Sequence, residues 1–254
     1  MQSFMLERLL ERISVSKYKH RIILKGGMLI ASLVGLSSRT TMDMDATLRE
    51  FPLTEDTIRT AFLEIFAVEL DDEVDLTLGH IGPIREDDEY GGFRVAVVAM
   101  YESINTPLKI DITTGDVITP HAVQYAFPSN FEDKLIEVWA YNIERILAEK
   151  VETILRRSIF NTRPGDFYDV YILVKTQGKA ISQQVFVTAL HATSQKRMSA
   201  VVLQNKEHIL ITIQTDAPMR NRWERYCKDN KYVGALSFDE VLEVLNDLLS
   251  HEQS

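Results

Sequence analysis

Cysteine is nearly absent from this sequence, with Cys227 the single one among 254 residues. A lone thiol excludes an internal disulfide and a zinc site built from several cysteines. Long apolar stretches are absent too, because none approaches the ~20 residues that a membrane-spanning helix needs. The first residues mix leucines with charges, unlike the apolar core of a signal peptide. We therefore expect a cytoplasmic protein without a membrane segment.

Positive charge is also scarce. Lys and Arg together number 28 against 37 Asp and Glu, so the formal net charge is −9. This balance argues against a protein that coats nucleic acid, which needs clustered cations. The same balance is compatible with an enzyme that has a local basic surface. Some of the acidic residues can be carboxylates that hold metal ions.

Two familiar nucleotide-binding motifs are missing, the full Walker A sequence and the G-x-G-x-x-G fingerprint, which argues against P-loop and Rossmann folds. Short apolar runs and helical segments over 21–114 predict an α/β unit with a mixed sheet. Residues 131–158 contain no Gly or Pro and have helical periodicity, which predicts one long helix. We expect an α+β fold with two domains, 1–120 and a helical domain, 121–254, that completes the active-site cleft.

Three aspartates stand out on predicted strands. Asp43 and Asp45 are two residues apart, so both side chains are expected on one face of a strand, and Asp111 lies in a second alternating strand. If these strands are neighbours, the three carboxylates converge, and Mg²⁺ prefers such hard oxygen ligands. Two ions of this kind activate an attacking hydroxyl and stabilise a leaving pyrophosphate. The alternative is that all three are solvent-facing strand residues.

A glycine pair lies between a predicted strand and a predicted helix, at Gly26 and Gly27, directly after Lys25. Glycine lets a backbone approach a phosphate closely, and a helix N-terminus favours negative charge. The pattern is typical of a phosphate-binding turn, although an ordinary turn has the same composition.

The long predicted helix carries Lys150 and Arg157, which share a face because seven residues make two turns. That face is suited to triphosphate charge, or it is simply a solvated charged face. Further on, Asp166 and Asp169 begin the next helix. An aspartate there can act as a base or orient a lysine. Alternatively, Asp166 caps the helix and forms a salt bridge with Arg163 or Arg157.

Together these features resemble the AbiEii/AbiGii toxin family of nucleotidyltransferases, within the DNA polymerase beta-like superfamily. Four segments carry the resemblance, in the family's order: LKGGMLIASLVGLSSRTTMDMDATL at 24–48, LKIDI at 108–112, ERILAEKVETILRR at 144–157 and RPGDFYDVY at 163–171. They span about half of the chain, and the last two are the more specific to these toxins.

The resemblance implies a nucleotidyltransferase-fold sheet followed by a helical region. It implies that Gly26 and Gly27 hold triphosphate and that Asp43 and Asp45 bind Mg²⁺. Lys150 and an aspartate of the last segment correspond to essential residues of the family. The resemblance also implies a toxin used in phage defence by abortive infection, with a cognate antitoxin encoded nearby but no implied direct contact. Related toxins add nucleotides to tRNA ends.

The function expected from these observations is transfer of a nucleotide from a nucleoside triphosphate, with Mg²⁺, to an acceptor that we expect to be RNA such as tRNA. Lys25, Lys150 and Arg157 are expected to contact the nucleotide. The acceptor is expected on a basic surface of the helical half, where a basic and aromatic cluster spans residues 220–226. Two alternatives remain, a metal-dependent nuclease using the same carboxylates and a non-catalytic nucleotide-binding regulator.

Overall fold

A computed structural model describes residues 1–35, 37, 43–50, 52–84, 91–114 and 118–250. The chain divides into two compact units. The first comprises Met1–Ser32, Thr40–Asp116 and Ala122–Tyr141. The second comprises Leu33–Arg39, Val117–His121 and Asn142–Ser254. The predicted domain boundary at residue 120 is too early, because Ala122–Tyr141 still belongs to the first unit.

The first unit is built on a sheet in which the described residues form seven strands. They are β1 (Ile22–Lys25), β2 (Met44–Leu48), β3 (Val74–Pro83), β4 (Gly92–Tyr101), β5 (Ile104–Thr114), β6 (Val123–Pro128) and β7 (Leu135–Ala140). Their order across the sheet is β3-β4-β5-β2-β1-β7-β6. The pairs β2–β5 and β1–β7 are parallel, and the other four are antiparallel.

Ten α-helices accompany this sheet in the described part of the chain. They are α1 (Gln2–Val15), α2 (Gly26–Val34), α3 (Glu55–Phe66), α4 (Ile143–Arg157), α5 (Pro164–Gln177), α6 (Gln183–Lys196), α7 (Val201–Gln204), α8 (Lys206–Thr215), α9 (Ala217–Asp229) and α10 (Phe238–Ser250). Helices α4–α10 lie in the second unit. The predicted α+β class, with a mixed sheet and a mostly helical C-terminal region, is confirmed.

Alternation along the central strands separates an apolar face of the sheet from a polar one. Ile110 and Ile112 of β5 are fully buried, as are Met44 and Ala46 of β2. Helix α1 packs against β5 and β7. This contact removes apolar side chains from water, which is favourable. Asp111 lies between the two isoleucines, so its side chain projects from the opposite face.

The helix predicted over 131–158 begins only at Ile143, because Leu135–Ala140 forms strand β7. In this segment Ile136, Val138 and Ala140 are buried and alternate with more exposed residues. Short apolar runs fit both periodicities, and strand pairing with β1 decides between them. The sequence analysis therefore missed strand β7, which continues the sheet next to β1.

Helix starts in the second unit follow their capping residues. Asn142 and Ser182 accept backbone N–H bonds at the starts of α4 and α6. Ser237 and Glu240 form a capping box before α10, with bonds of 2.9 and 3.2 Å between side chain and backbone. The prediction that Asp166 caps its helix is wrong, because α5 already begins at Pro164, a residue suited to the first helical position.

Candidate active site

A row of four charged side chains crosses the polar face of the sheet. Asp45 on β2 is paired in register with Lys25 on β1. On its other side, Asp45 is paired with Asp111 on β5. Asp111 is in turn paired with Arg94 on β4. Directly paired residues project from the same face, and neighbouring strands lie ~4.8 Å apart. The fold therefore brings Asp45 and Asp111 together.

The glycine pair packs directly against Asp45. Gly26 has a φ of +68°, and a Cβ added there would lie 2.0 Å from Asp45 Oδ2. The Gly27 N–H donates a hydrogen bond to the same oxygen at 3.3 Å. Both the backbone conformation and the space next to the carboxylate therefore require glycine at position 26. The turn and the carboxylate form one structural element.

This close packing predicts a large effect for a single methyl group. We expect Gly26→Ala to lower the free energy of unfolding by about 2–4 kcal/mol, from the left-handed conformation and the overlap with Asp45. Urea denaturation monitored by circular dichroism measures it. Gly178→Ala is the matched control, because Gly178 has a φ of −50° and an added Cβ meets no atom within 4 Å. Equal stability of the two variants would contradict the packing argument.

Asp111 is held by an arginine that the sequence did not indicate. Arg94 donates from Nε to Asp111 Oδ1 and from Nη2 to Oδ2, both at 2.8 Å. The Arg94 side chain is 53% exposed and that of Asp111 is 21% exposed. The bonds and charge of Asp111 raise the pKa of Arg94, and the charges of Asp43 and Asp45 raise it further. Arg94 is therefore a permanent cation beside three carboxylates.

Asp43 lies immediately before β2, not within it, because the strand begins at Met44. Its side chain is exposed. Its charge acts on Arg94, which indicates that it lies near the same row. Asp43 and Asp45 were both predicted on one strand, and only Asp45 belongs to it. Asp43 therefore lies beside the row, at the exposed start of β2.

These carboxylates supply the donor chemistry of a magnesium site. Mg²⁺ commonly binds one or two carboxylates and takes its other ligands from water and substrate phosphates. Asp43 and Asp45 meet that requirement, whereas both oxygens of Asp111 are bound to Arg94. Across the described residues, no three His, Cys, Asp or Glu side chains are gathered closely enough to hold a metal ion. The residues therefore fit a site with two protein carboxylates, Asp43 and Asp45, while Asp111 is bound to Arg94.

A polar network lies next to this row and was not predicted. Lys25 Nζ donates to Thr113 Oγ1 at 2.7 Å, and Thr113 lies 3.0 Å from the hydroxyl of Thr47. Thr47 is also 3.0 Å from the hydroxyl of Tyr141. The signal in the sequence was the repeated Asp-x-Thr, at 45–47 and 111–113, which puts each threonine on the same face as its aspartate. The network fixes the Lys25 ammonium on the polar face.

In the second unit, Lys150 is enclosed by two carboxylates. Its Nζ lies 2.7 Å from Asp166 Oδ1 and 2.9 Å from Asp169 Oδ2. The side chains of Asp166 and Asp169 are 2% and 1% exposed. Burial acts to lower the pKa of Lys150, but the charges of the two aspartates outweigh it and raise that pKa above its usual range. Arg163 pairs with Asp166 from the outer side at 3.0 Å.

Arg157 does not join this cluster. It lies in the last turn of α4, two turns beyond Lys150, and is half-buried. Within the ranges that the structure describes it forms no ion pair, whereas the neighbouring Arg156 pairs with Glu152. Packing distinguishes the two neighbouring arginines. The guanidinium of Arg156 neutralises the buried carboxylate of Glu152, and that of Arg157 does not.

The basic and aromatic cluster at 220–226 has mostly structural contacts. Arg220 forms two hydrogen bonds with Asp239, at 2.7 and 3.0 Å. Arg222 donates to the carbonyl oxygen of Ile159 at 2.8 Å. Trp223 is 3% exposed, so its ring does not offer a stacking surface. Charge reversal at these arginines is therefore a poor test of RNA binding, because it removes contacts within the unit.

Comparison with known proteins gives one family match. The model of the family described as nucleotidyl transferase AbiEii toxin, type IV TA system, matches residues 8–244. No curated protein matches the chain. Two solved structures are similar, the crystal structures of JHP933 from Helicobacter pylori and of a putative nucleotidyltransferase from H. pylori. Each is 15% identical with a TM-score of 0.48; the alignments cover 99% of this chain and 90% and 92% of those chains, respectively.

The family model covers most of the chain, including every candidate site residue named above. Within the described residues, no helix has the length and apolar character needed to cross a membrane. The family match and the mixed sheet together confirm the nucleotidyltransferase fold. The chain therefore belongs to the AbiEii nucleotidyl transferase toxin family of type IV toxin–antitoxin systems.

Proposed function

We propose that this protein transfers a nucleotide from a nucleoside triphosphate to RNA in the cytoplasm, with Mg²⁺ bound at Asp43 and Asp45. The observation that carries the proposal is the contact of Gly26 and Gly27 with Asp45, which joins a helix N-terminus to the carboxylate row. A helix N-terminus attracts phosphate and carboxylates attract its counter-cation. One short segment thereby supplies both requirements of a metal–triphosphate substrate.

The proposed reaction forms a bond between an acceptor hydroxyl oxygen and the α-phosphorus, and it breaks the bond from that phosphorus to the bridging oxygen. Pyrophosphate leaves, and the hydroxyl proton passes to solvent or to a carboxylate of the row. Mg²⁺, when bound, would neutralise phosphate charge and lower the pKa of the attacking hydroxyl. Lys25, fixed by Thr113, supplies a cation to the triphosphate. The N–H groups at the start of α2 orient it, apart from that of Gly27, which donates to Asp45.

For Lys150 we propose a separate nucleotide-binding role. An ammonium group has three N–H donors; one donates to Asp166, and Asp169 forms an ion pair with the same ammonium. A remaining donor suits a phosphate oxygen. The carboxylates keep Lys150 protonated and limit its motion, so less conformational entropy is lost when the ligand binds. Arg157 on the same helix supplies a second cation that no carboxylate of the described residues neutralises.

Membership in a toxin–antitoxin family implies a cognate antitoxin and a nucleotide substrate. We propose that the toxin acts in phage defence by abortive infection, and that modification of RNA, with tRNA as the first candidate, accounts for its toxicity. This acceptor rests on the family resemblance. The acidic net charge of −9 means that any RNA contact depends on a local group of cations.

The decisive experiment incubates the protein with each α-labelled nucleoside triphosphate, Mg²⁺ and total RNA. We expect label from one nucleotide to appear on a discrete RNA species. We also expect labelling to fall severalfold or more between about 50 and 200 mM salt, because each phosphate contact releases condensed counterions. RNA that is shortened without nucleoside triphosphate would indicate a nuclease. Nucleotide binding without transfer to RNA, protein or small molecules would indicate a regulator.

A further inference from the structure

We propose that Arg94 is a placeholder cation, which holds Asp111 in the metal-free protein and is displaced from it when the divalent ion binds. The inference rests on the proposed function, because it assumes that the carboxylate row is the metal site. It adds a residue to that site and assigns Asp111 two states. In the metal-free protein Asp111 is bound to Arg94, and in the metal-bound protein Asp111 is a ligand of the metal ion.

The first argument is geometric. Arg94 uses two donors and occupies both oxygens of Asp111, at 2.8 Å each. Asp111 lies directly beside Asp45 in the parallel pair β2–β5. A cation bound at Asp45 therefore lies within one strand spacing of a carboxylate that is already bound. The guanidinium occupies the Asp111 lone pairs that face it, and its positive charge repels an ion bound beside it, so Arg94 competes with the ion for Asp111.

The second argument concerns charge. Asp43, Asp45 and Asp111 carry three negative charges near one another, and each acts on Arg94. Like charges this close destabilise the site unless a cation offsets them. Lys25 and Arg94 are the cations of the row. A divalent ion supplies the same compensation with shorter contacts, so it makes the guanidinium unnecessary.

The third argument is that displacement costs little. The Arg94 side chain is 53% exposed, so its guanidinium is already partly hydrated and can move into water. Surface ion pairs contribute little to stability, and the two-point geometry puts this pair at the upper end of that range, about fivefold in an equilibrium constant. Arginine does not lose its proton at ordinary pH, so movement is the way in which this charge is removed from Asp111.

The test is direct titration of Mn²⁺ into the nucleotide-free protein, following the electron paramagnetic resonance signal of the free ion. We expect Arg94→Gln to bind Mn²⁺ about fivefold more tightly than the wild type, because Asp111 then has no competing partner. Arg59→Gln is the control, since Arg59 forms an exposed pair with Glu55 on α3. It is expected to leave the affinity unchanged.

The Asp111→Asn background separates competition for the carboxylate from a general effect of positive charge. In that background, Arg94→Gln is expected to give no gain in Mn²⁺ affinity, as a double-mutant cycle measures. An unchanged affinity in Arg94→Gln, or a gain that persists with Asp111→Asn, overturns the placeholder role while the metal site stands. Absence of Mn²⁺ binding in the wild type and in every variant overturns the proposed metal site and the inference with it.

Discussion

Asp45→Asn is expected to reduce nucleotidyl transfer by about a thousandfold or more. Loss of a proposed metal ligand would remove several kcal/mol of charge stabilisation, and ~4 kcal/mol corresponds to ~10³ in rate. The measurement is initial rate of label transfer at saturating nucleoside triphosphate and Mg²⁺. The asparagine oxygen can still accept from the Gly27 N–H, so the turn is preserved.

The stability of this variant separates chemistry from folding. We expect the free energy of unfolding without metal to change by less than about 1 kcal/mol, since removing one of several neighbouring negative charges offsets any lost contact. Asp75→Asn is the matched control, because Asp75 is an exposed carboxylate on β3 of the same sheet. Full activity in Asp45→Asn would remove Asp45 from the proposed metal site.

Lys150→Met is expected to lower the free energy of unfolding by about 3–5 kcal/mol, because it leaves buried carboxylates without their ammonium. Nucleotide affinity is expected to fall about tenfold or more, since a charged hydrogen bond is worth about 1.5–3 kcal/mol. Chemical denaturation and equilibrium binding of a nucleoside triphosphate measure the two effects. Lys179→Met, at an exposed lysine beyond α5, is the control.

A second substitution distinguishes the two roles of Lys150. Asp166 retains its pair with Arg163 in Lys150→Met, whereas Asp169 loses the ammonium. Adding Asp169→Asn removes that buried charge and is expected to restore much of the lost stability. If Lys150 contacts the nucleotide, affinity stays low in the double variant. Recovery of both quantities together would make Lys150 a structural residue only.

Much of the first unit's site follows from local pattern. Alternation placed Asp111 on a polar strand face, and the glycine pair marked the turn between a strand and a helix. Arg94 carried no such signal, because a single arginine in an apolar strand is ordinary. Its importance comes from register with Asp111, a residue 17 positions away. Register depends on strand pairing, which a local window of sequence does not contain.

The sequence by itself determined the mixed α+β class, the glycine turn between a strand and a helix, and the residue types of the candidate site. Each of these depends on periodicity or on chemistry within a few residues. The tertiary structure decided that Leu135–Ala140 is a strand, that Gly26 packs against Asp45, and that two aspartates enclose Lys150. These facts depend on which distant segments pack together, because burial and strand pairing outweigh local preference.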